Sequence, residues 1–117
     1  MNKKKVGNWG EKVAQEELKK KGFEIIDTNF NTRFGEIDII AKKNNEFIFV
    51  EVKTRQNTNY GSASESISSY KIQHLAKAIN IYIQEKKIEN YSYRVCLASI
   101  DKIKKGLWKF KLIADII

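Results

Sequence analysis

The sequence predicts a single α/β domain with the element order helix, three strands, helix, two strands. Three observations carry this. From Asn8 to Lys20 or Lys21, apolar and small residues recur at helical spacing, and Gly22 follows as a stop. Between Gly35 and Lys53, two runs rich in β-branched and aromatic residues flank Lys42-Lys43-Asn44-Asn45, the mark of a β-hairpin. From Ser64 or Ser66 to about Lys86 the apolar residues return to the helical period. A chain of 117 residues, 42% hydrophobic and 31% charged, makes one domain with a real core.

The first helix has Asn8 as its expected N-cap, Gly22 as its C′ residue and Lys19, Lys20 and Lys21 at the negative end of its dipole. Glu11, Ala14 and Leu18 fall at i, i+3 and i+7 and share one stripe. A carboxylate on the core stripe marks either a site residue or a first-turn acid that favours the helix dipole. Gly7, Gly10 and Ala14 are small enough to let the helix approach a sheet closely. Trp9 is expected to pack.

Phe23 to Phe30 reads as a strand, and Asn31 to Gly35 as a loop into the hairpin. With Asn44-Asn45 at the turn, counting sets Lys43 opposite Glu46, Asp38 opposite Glu51 and Glu36 opposite Lys53. Side chains two apart share a face, so three carboxylates and one ammonium group gather there, with opposed Cβ atoms about 5 Å apart. Phe47-Ile48-Phe49-Val50 lacks polar alternation and reads as buried on both faces. Burying Glu51 and Lys53 beyond it is costly unless they are paired or bind a metal. A hard divalent cation such as Mg²⁺ turns the Asp38–Glu51 repulsion into attraction, and Lys53 then holds a water or stabilises negative charge. The plainer alternative is a solvated hairpin face with a Glu36–Lys53 ion pair.

Thr54 to Ser62 is polar and turn-rich, a candidate substrate flap beside the acidic residues. Tyr60 there either stacks on a base or, preferably, anchors the loop. In the second helix Ser62 and Glu65 form a capping-box pattern, and Ile67, Leu75, Ala78, Ile79, Tyr82 and Ile83 form the apolar stripe. His74 reads as a helix-surface residue. Tyr91 to Ile100 is an internal strand, Asp101 to Gly106 a turn, and Leu107 to Ile113 a half-exposed strand with Trp108, Phe110 and Leu112 on one face.

The net charge of +8 and pI near 9.5 favour polyanionic partners. Arginine is scarce, at Arg33, Arg55 and Arg94 only, and Arg33 and Arg55 bracket the hairpin. Their guanidinium groups suit phosphate, or else pair with nearby carboxylates. A lone cysteine excludes an internal disulfide, and one histidine with one cysteine excludes a His/Cys zinc site. No apolar run approaches the roughly 20 residues that span a bilayer, and no secretory signal is visible, so a cytoplasmic protein without membrane contact is expected.

Glu36-Ile37-Asp38 followed by Glu51-Val52-Lys53 resembles the PD-(D/E)XK, or restriction endonuclease-like, superfamily. More closely, the chain resembles the YraN family of small bacterial proteins. The matching segments are Gly7-x-x-Gly10-Glu11-x-x-Ala14-x-x-x-Leu18, Lys21-Gly22-Phe23, Asn29-Phe30, Arg33-Phe34-Gly35-Glu36-Ile37-Asp38, Phe49-Val50-Glu51-Val52-Lys53-x-Arg55, Tyr60-Gly61 and Lys71. The likeness is strong over roughly the first two thirds of the chain, and an ordered set is far more specific than a lone Asp…Glu-x-Lys.

The resemblance implies a restriction endonuclease-like core, a mixed β-sheet flanked by helices. It implies a metal-dependent nuclease or nuclease-like DNA-processing protein, similar to archaeal Holliday-junction resolvases and so acting on phosphodiesters of branched DNA. Asp38 and Glu51 would bind Mg²⁺ or Mn²⁺. Glu11 matches a helical glutamate of the metal site, Glu36 supports the site, and Lys53 positions the attacking water. Arg33, Arg55 and Lys71 would contact nucleic acid, and a homodimer is compatible with this picture. The chain departs from the family at Arg94-Val95-Cys96, where relatives commonly have Arg-Phe-Asp; Cys96 is expected as a small buried hydrophobe. The rival functions are a non-catalytic nucleic-acid-binding module on the same fold and a protein-interaction adaptor.

Overall fold

The computed structural model describes residues 3–56 and 61–117. In chain order it contains α1 (Lys3–Lys20), β1 (Glu24–Thr32), β2 (Gly35–Lys43), β3 (Glu46–Arg55), a short 3-10 turn (Ser64–Ser66), α2 (Ser69–Glu85), β4 (Ser92–Lys104) and β5 (Leu107–Ile113). The five strands form one sheet in sequence order. β1, β2 and β3 make an antiparallel meander, β4 runs parallel to β3, and β5 is antiparallel to β4. A parallel neighbour requires a crossover, and α2 is that crossover. The mixed α/β architecture and its element order are as the sequence predicts. Among the described residues no helix is long and apolar enough to cross a membrane.

The helices cover opposite faces of the sheet. Ala14 and Leu18 of α1 pack with Ile39, Ala41, Ile48, Val50, Cys96 and Ala98, while Leu75, Ala78, Ile79 and Tyr82 of α2 pack with Ile40, Phe47, Phe49 and Val95. β3 therefore has apolar partners on both sides, which is why Phe47 to Val50 shows no alternation. Trp9 packs edge-to-face on Trp108, ring centroids 4.8 Å apart, and Cys96 is buried among aliphatic residues.

Local chemistry explains most element ends. α1 stops in a Schellman motif: Phe23 N–H donates to Leu18 O and Gly22 N–H to Lys19 O, both at 3.0 Å, with Gly22 at φ +92°. Its start differs from expectation. Asn8 lies inside the helix, which runs back through Gly7 to Lys3 on a lysine-rich segment of good helix propensity. The Ser62 and Glu65 cap closes only the 3-10 turn, with Glu65 N–H donating to Ser62 Oγ at 3.4 Å. Ile67 is extended, and α2 restarts on Ser68, whose hydroxyl accepts from Lys71 N–H.

The loop expected at Asn31 to Gly35 shrinks to the two residues Arg33-Phe34, closed by Thr32 Oγ1. The turn expected from Asp101 is also shorter: β4 continues to Lys104, which leaves Asp101 inside a strand and only 3% exposed. Tyr60 and the tip of its loop fall outside the described residues.

Gly10 brings α1 against the sheet. A Cβ there would overlap Thr54 Oγ1 on β3, so only glycine allows the approach. The next residue, Glu11, is thereby delivered to the sheet.

Candidate functional site

The hairpin register follows the count from Lys43↔Glu46 through Ile39↔Val50, and there the β2–β3 ladder ends. Beyond that point β3 stays bonded to β4 as far as Arg55↔Asp101, while β2 stays bonded to β1 as far as Gly35↔Thr32. The two strands part over the residues that counting sets opposite one another. Val52 N–H donates instead to Asp38 Oδ2 at 2.8 Å, so a side chain replaces the backbone partner. The alternative of a Glu36–Lys53 ion pair is not formed: among the described residues Lys53 has no carboxylate within ion-pair distance, and its side chain is exposed.

The parting coincides with a slip in the side-chain alternation of β2. Ile37 and Ile40 both pack on the α2 face, whereas Ile39 and Ala41 pack on the α1 face, so the period-two alternation slips around Asp38. On β1, Asn29 is the matching irregularity, with φ +52° between the pairs Thr28↔Ile39 and Phe30↔Ile37. Asparagine tolerates this left-handed conformation better than most residues.

The kink gives Asn29 a role the sequence reading missed. Its Nδ2 donates to Glu36 Oε1 at 2.6 Å and to both carboxylate oxygens of Glu11 at 3.3 Å. Glu11, Glu36 and Asp38 each offer a carboxylate oxygen, and these oxygens lie within 4.8 Å of one another. Three elements thus converge: α1 supplies Glu11, β1 the clamping amide, and β2 the two acids.

Glu51 is on the neighbouring strand and is only 8% exposed. Its Oε1 pairs with Lys71 Nζ at 3.3 Å, while Oε2 is buried without a hydrogen-bond partner among the described residues. Burial, then the charge of Glu51, pushes the Asp38 carboxyl up to about 8, against the pull of the Val52 N–H; Glu11 and Glu36 push the same way. Burial also raises Glu51, with Lys71 and Lys53 pulling it down. Asp38 and Glu51 thus hold their protons more tightly than free acids do.

The remaining expected site residues separate. Arg33 is exposed at the β1–β2 turn, its guanidinium carbon 4.9 Å from the Phe34 ring centre. Arg55 turns inward. Its Nε and Nη2 grip Asp101 at 2.9 and 3.0 Å, and Nη1 donates to Gly61 O at 3.0 Å. Its side chain is 10% exposed, so carboxylate pairing is the role this geometry gives it, not the expected phosphate contact. Ser99 Oγ donates to Asp101 Oδ1 at 2.6 Å and completes the buried network. Lys71, expected to contact nucleic acid, holds Glu51.

The clamp invites a direct test. Asn29→Gly keeps the left-handed backbone and removes the amide. Loss of a partner that orients ligands typically weakens metal binding by about 10-fold or more, so, were these acids to bind Mn²⁺, its affinity measured by calorimetry would fall by that order. Unchanged affinity would mean that the amide does not organise these acids.

The family model described as "Uncharacterised protein family UPF0102" matches residues 10–107. The chain is 47% identical over 94 residues to a UPF0102 protein of Caldicellulosiruptor saccharolyticus, covering 80% of each chain. It is 40% identical over 113 residues to UPF0102 protein FN1370 of Fusobacterium nucleatum, covering 92% of this chain and 95% of the relative. A UPF0102 protein of Caldicellulosiruptor bescii is 42% identical over 120 residues, covering 98% of both.

Proposed function

The chain belongs to the UPF0102 (YraN) family, and on that footing we propose that it is a metal-dependent nuclease built on a restriction endonuclease-like core. The observation that carries the proposal is Glu51 Oε2, a buried carboxylate oxygen without a hydrogen-bond partner among the described residues, beside Asp38, whose proton affinity Glu51 raises. A buried, unpaired anionic oxygen is expensive unless a cation completes it.

Asp38 and Glu51 would hold Mg²⁺ or Mn²⁺, with Glu11 and Glu36 beside them and kept in place by Asn29. Their all-oxygen donor set fits such hard cations. When bound, the ion supplies Lewis acidity at a phosphodiester and activation of water. Lys53, exposed two residues beyond Glu51, offers an ammonium group to a water or to a phosphate oxygen gaining charge. The net charge of +8 supports a nucleic-acid partner, DNA above all.

One observation favours a second reading. Lys71 already partly neutralises Glu51, as it would in a nucleic-acid-binding module whose acids are structural. Incubation with linear, flapped and four-way DNA in Mg²⁺ and in Mn²⁺ separates the two. The nuclease reading predicts cleavage that EDTA stops. Salt-sensitive binding without cleavage of any substrate in either metal would leave the binding module.

A further inference from the structure

A strip of aromatic and basic side chains runs from the carboxylates to the β1–β2 turn, and the chemistry above does not use it. α2 contributes Tyr70, His74 and Lys77, and the turn contributes Arg33 and Phe34. Tyr70 is 69% exposed, so core packing does not account for it. Its ring lies against the His74 imidazole, centroids 4.0 Å apart and planes 31° apart. His74 is fixed by a contact between its Nδ1 and Tyr70 O at 3.0 Å, and it meets Phe34 edge-on at 6.2 Å. Two cations flank Phe34: the Arg33 guanidinium carbon at 4.9 Å and Lys77 Nζ at 5.1 Å from the ring centre. A small pocket lined by Phe34, Glu36, Lys71 and His74 joins the strip to the acidic residues.

An exposed aromatic ring backed by a second ring, with cations one step away, is a surface for a flat π-system tied to phosphate. Nucleobases and their backbone have that chemistry. A base inside a duplex has neighbours on both faces and offers none to a side chain, whereas an unpaired base offers at least one. We propose that Tyr70, backed by His74, stacks an unpaired nucleobase while Arg33 and Lys77 hold the adjoining phosphates. This rests on the nucleic-acid reading of the neighbouring site and narrows it to substrates with a single-stranded portion.

The test is binding in EDTA, where no cleavage is needed. A labelled single-stranded oligonucleotide and a duplex of the same sequence are titrated and followed by fluorescence anisotropy. Tyr70→Ala is expected to weaken single-strand binding by roughly 5- to 100-fold, with its salt slope and the duplex affinity unchanged. Tyr70→Trp should restore it, and Lys77→Ala should instead reduce the single-strand salt slope by about 0.7. Because Tyr70 is exposed, its variants should melt with wild type. Wild-type single-strand affinity in Tyr70→Ala, or equal losses on single strand and duplex, would overturn the proposal. A protein that never cleaves DNA but shows the Tyr70 effect refutes the nuclease reading and leaves this one standing.

Discussion

Glu51→Gln is expected to reduce metal-dependent DNA cleavage by at least about 100-fold, the effect of losing roughly 3 kcal/mol of transition-state stabilisation. Glutamine keeps the shape of the side chain and an acceptor for Lys71, but it removes the charge that the unpartnered Oε2 presents. The variant should fold at least as well as wild type, because burial already disfavours the Glu51 carboxylate. DNA binding in EDTA should survive, since it depends on basic groups elsewhere. Lost cleavage with a normal melting curve therefore reports on the site and not on the fold. Equal cleavage by variant and wild type on every substrate would remove Glu51 from the mechanism.

Arg55→Ala should produce the largest loss of stability. It strands Asp101, 3% exposed, with Ser99 as its remaining side-chain hydrogen-bond donor among the described residues. Breaking one side of a buried pair typically costs about 3–5 kcal/mol, and in a domain of this size that lowers the melting temperature by on the order of 10–20 °C. The loss should depend on pH in a stated direction. Arg55 first, then Ser99, holds the Asp101 carboxyl below its ordinary value. That stability is present above the ordinary value of 3.8 and fades as pH falls through the lowered folded-state value. The gap between wild type and variant should narrow in acid. Urea unfolding followed by the fluorescence of Trp9 and Trp108 measures it. An Arg55→Ala protein of full stability and weakened DNA affinity would return Arg55 to the phosphate role.

Much of this molecule is legible in the chain, and the illegible parts share a cause. Gly22, the hairpin turn at Asn44-Asn45 and the register from Lys43 to Ile39 depend on residues close in sequence, and local rules describe them well. Counting onward to Asp38 and Glu51 assumed an unbroken ladder. It breaks because β3 follows β4 while β2 follows β1, and those allegiances are set by tertiary pairing. Asn29 left only a faint trace, an asparagine interrupting a strand-like run. Asp101 left none: it meets Arg55 across a parallel register with the whole of α2 between them. Arg33 and Arg55 look equivalent in the sequence, flanking the hairpin on either side, and only burial tells the exposed one from the paired one. The residue types of the acidic site were readable, but their grouping was not. Asn29 ties Glu11 to Glu36 next to Asp38, while Glu51 lies on the adjacent strand.

The central claim is that these carboxylates form a cation site, and thermal melting of wild type and Asp38→Asn tests it most directly. Asp38 holds its proton up to about 8 against an ordinary value of 3.8. A raised acid favours the fold fully below its unfolded value and loses that advantage as pH rises towards the folded one. Without metal, wild type should therefore fall behind Asp38→Asn between pH 4 and pH 8, with a deficit in melting temperature that grows as the pH rises. The asparagine can still accept from Val52 N–H. Adding millimolar Mg²⁺ or Mn²⁺ at pH 8 should raise the wild-type melting temperature, because only the folded chain assembles the ligands, and should leave the variant nearly unmoved. If Asp38→Asn is instead the less stable protein at every pH in EDTA, and neither protein responds to metal, Asp38 is a structural acceptor for Val52 and the cation site does not exist.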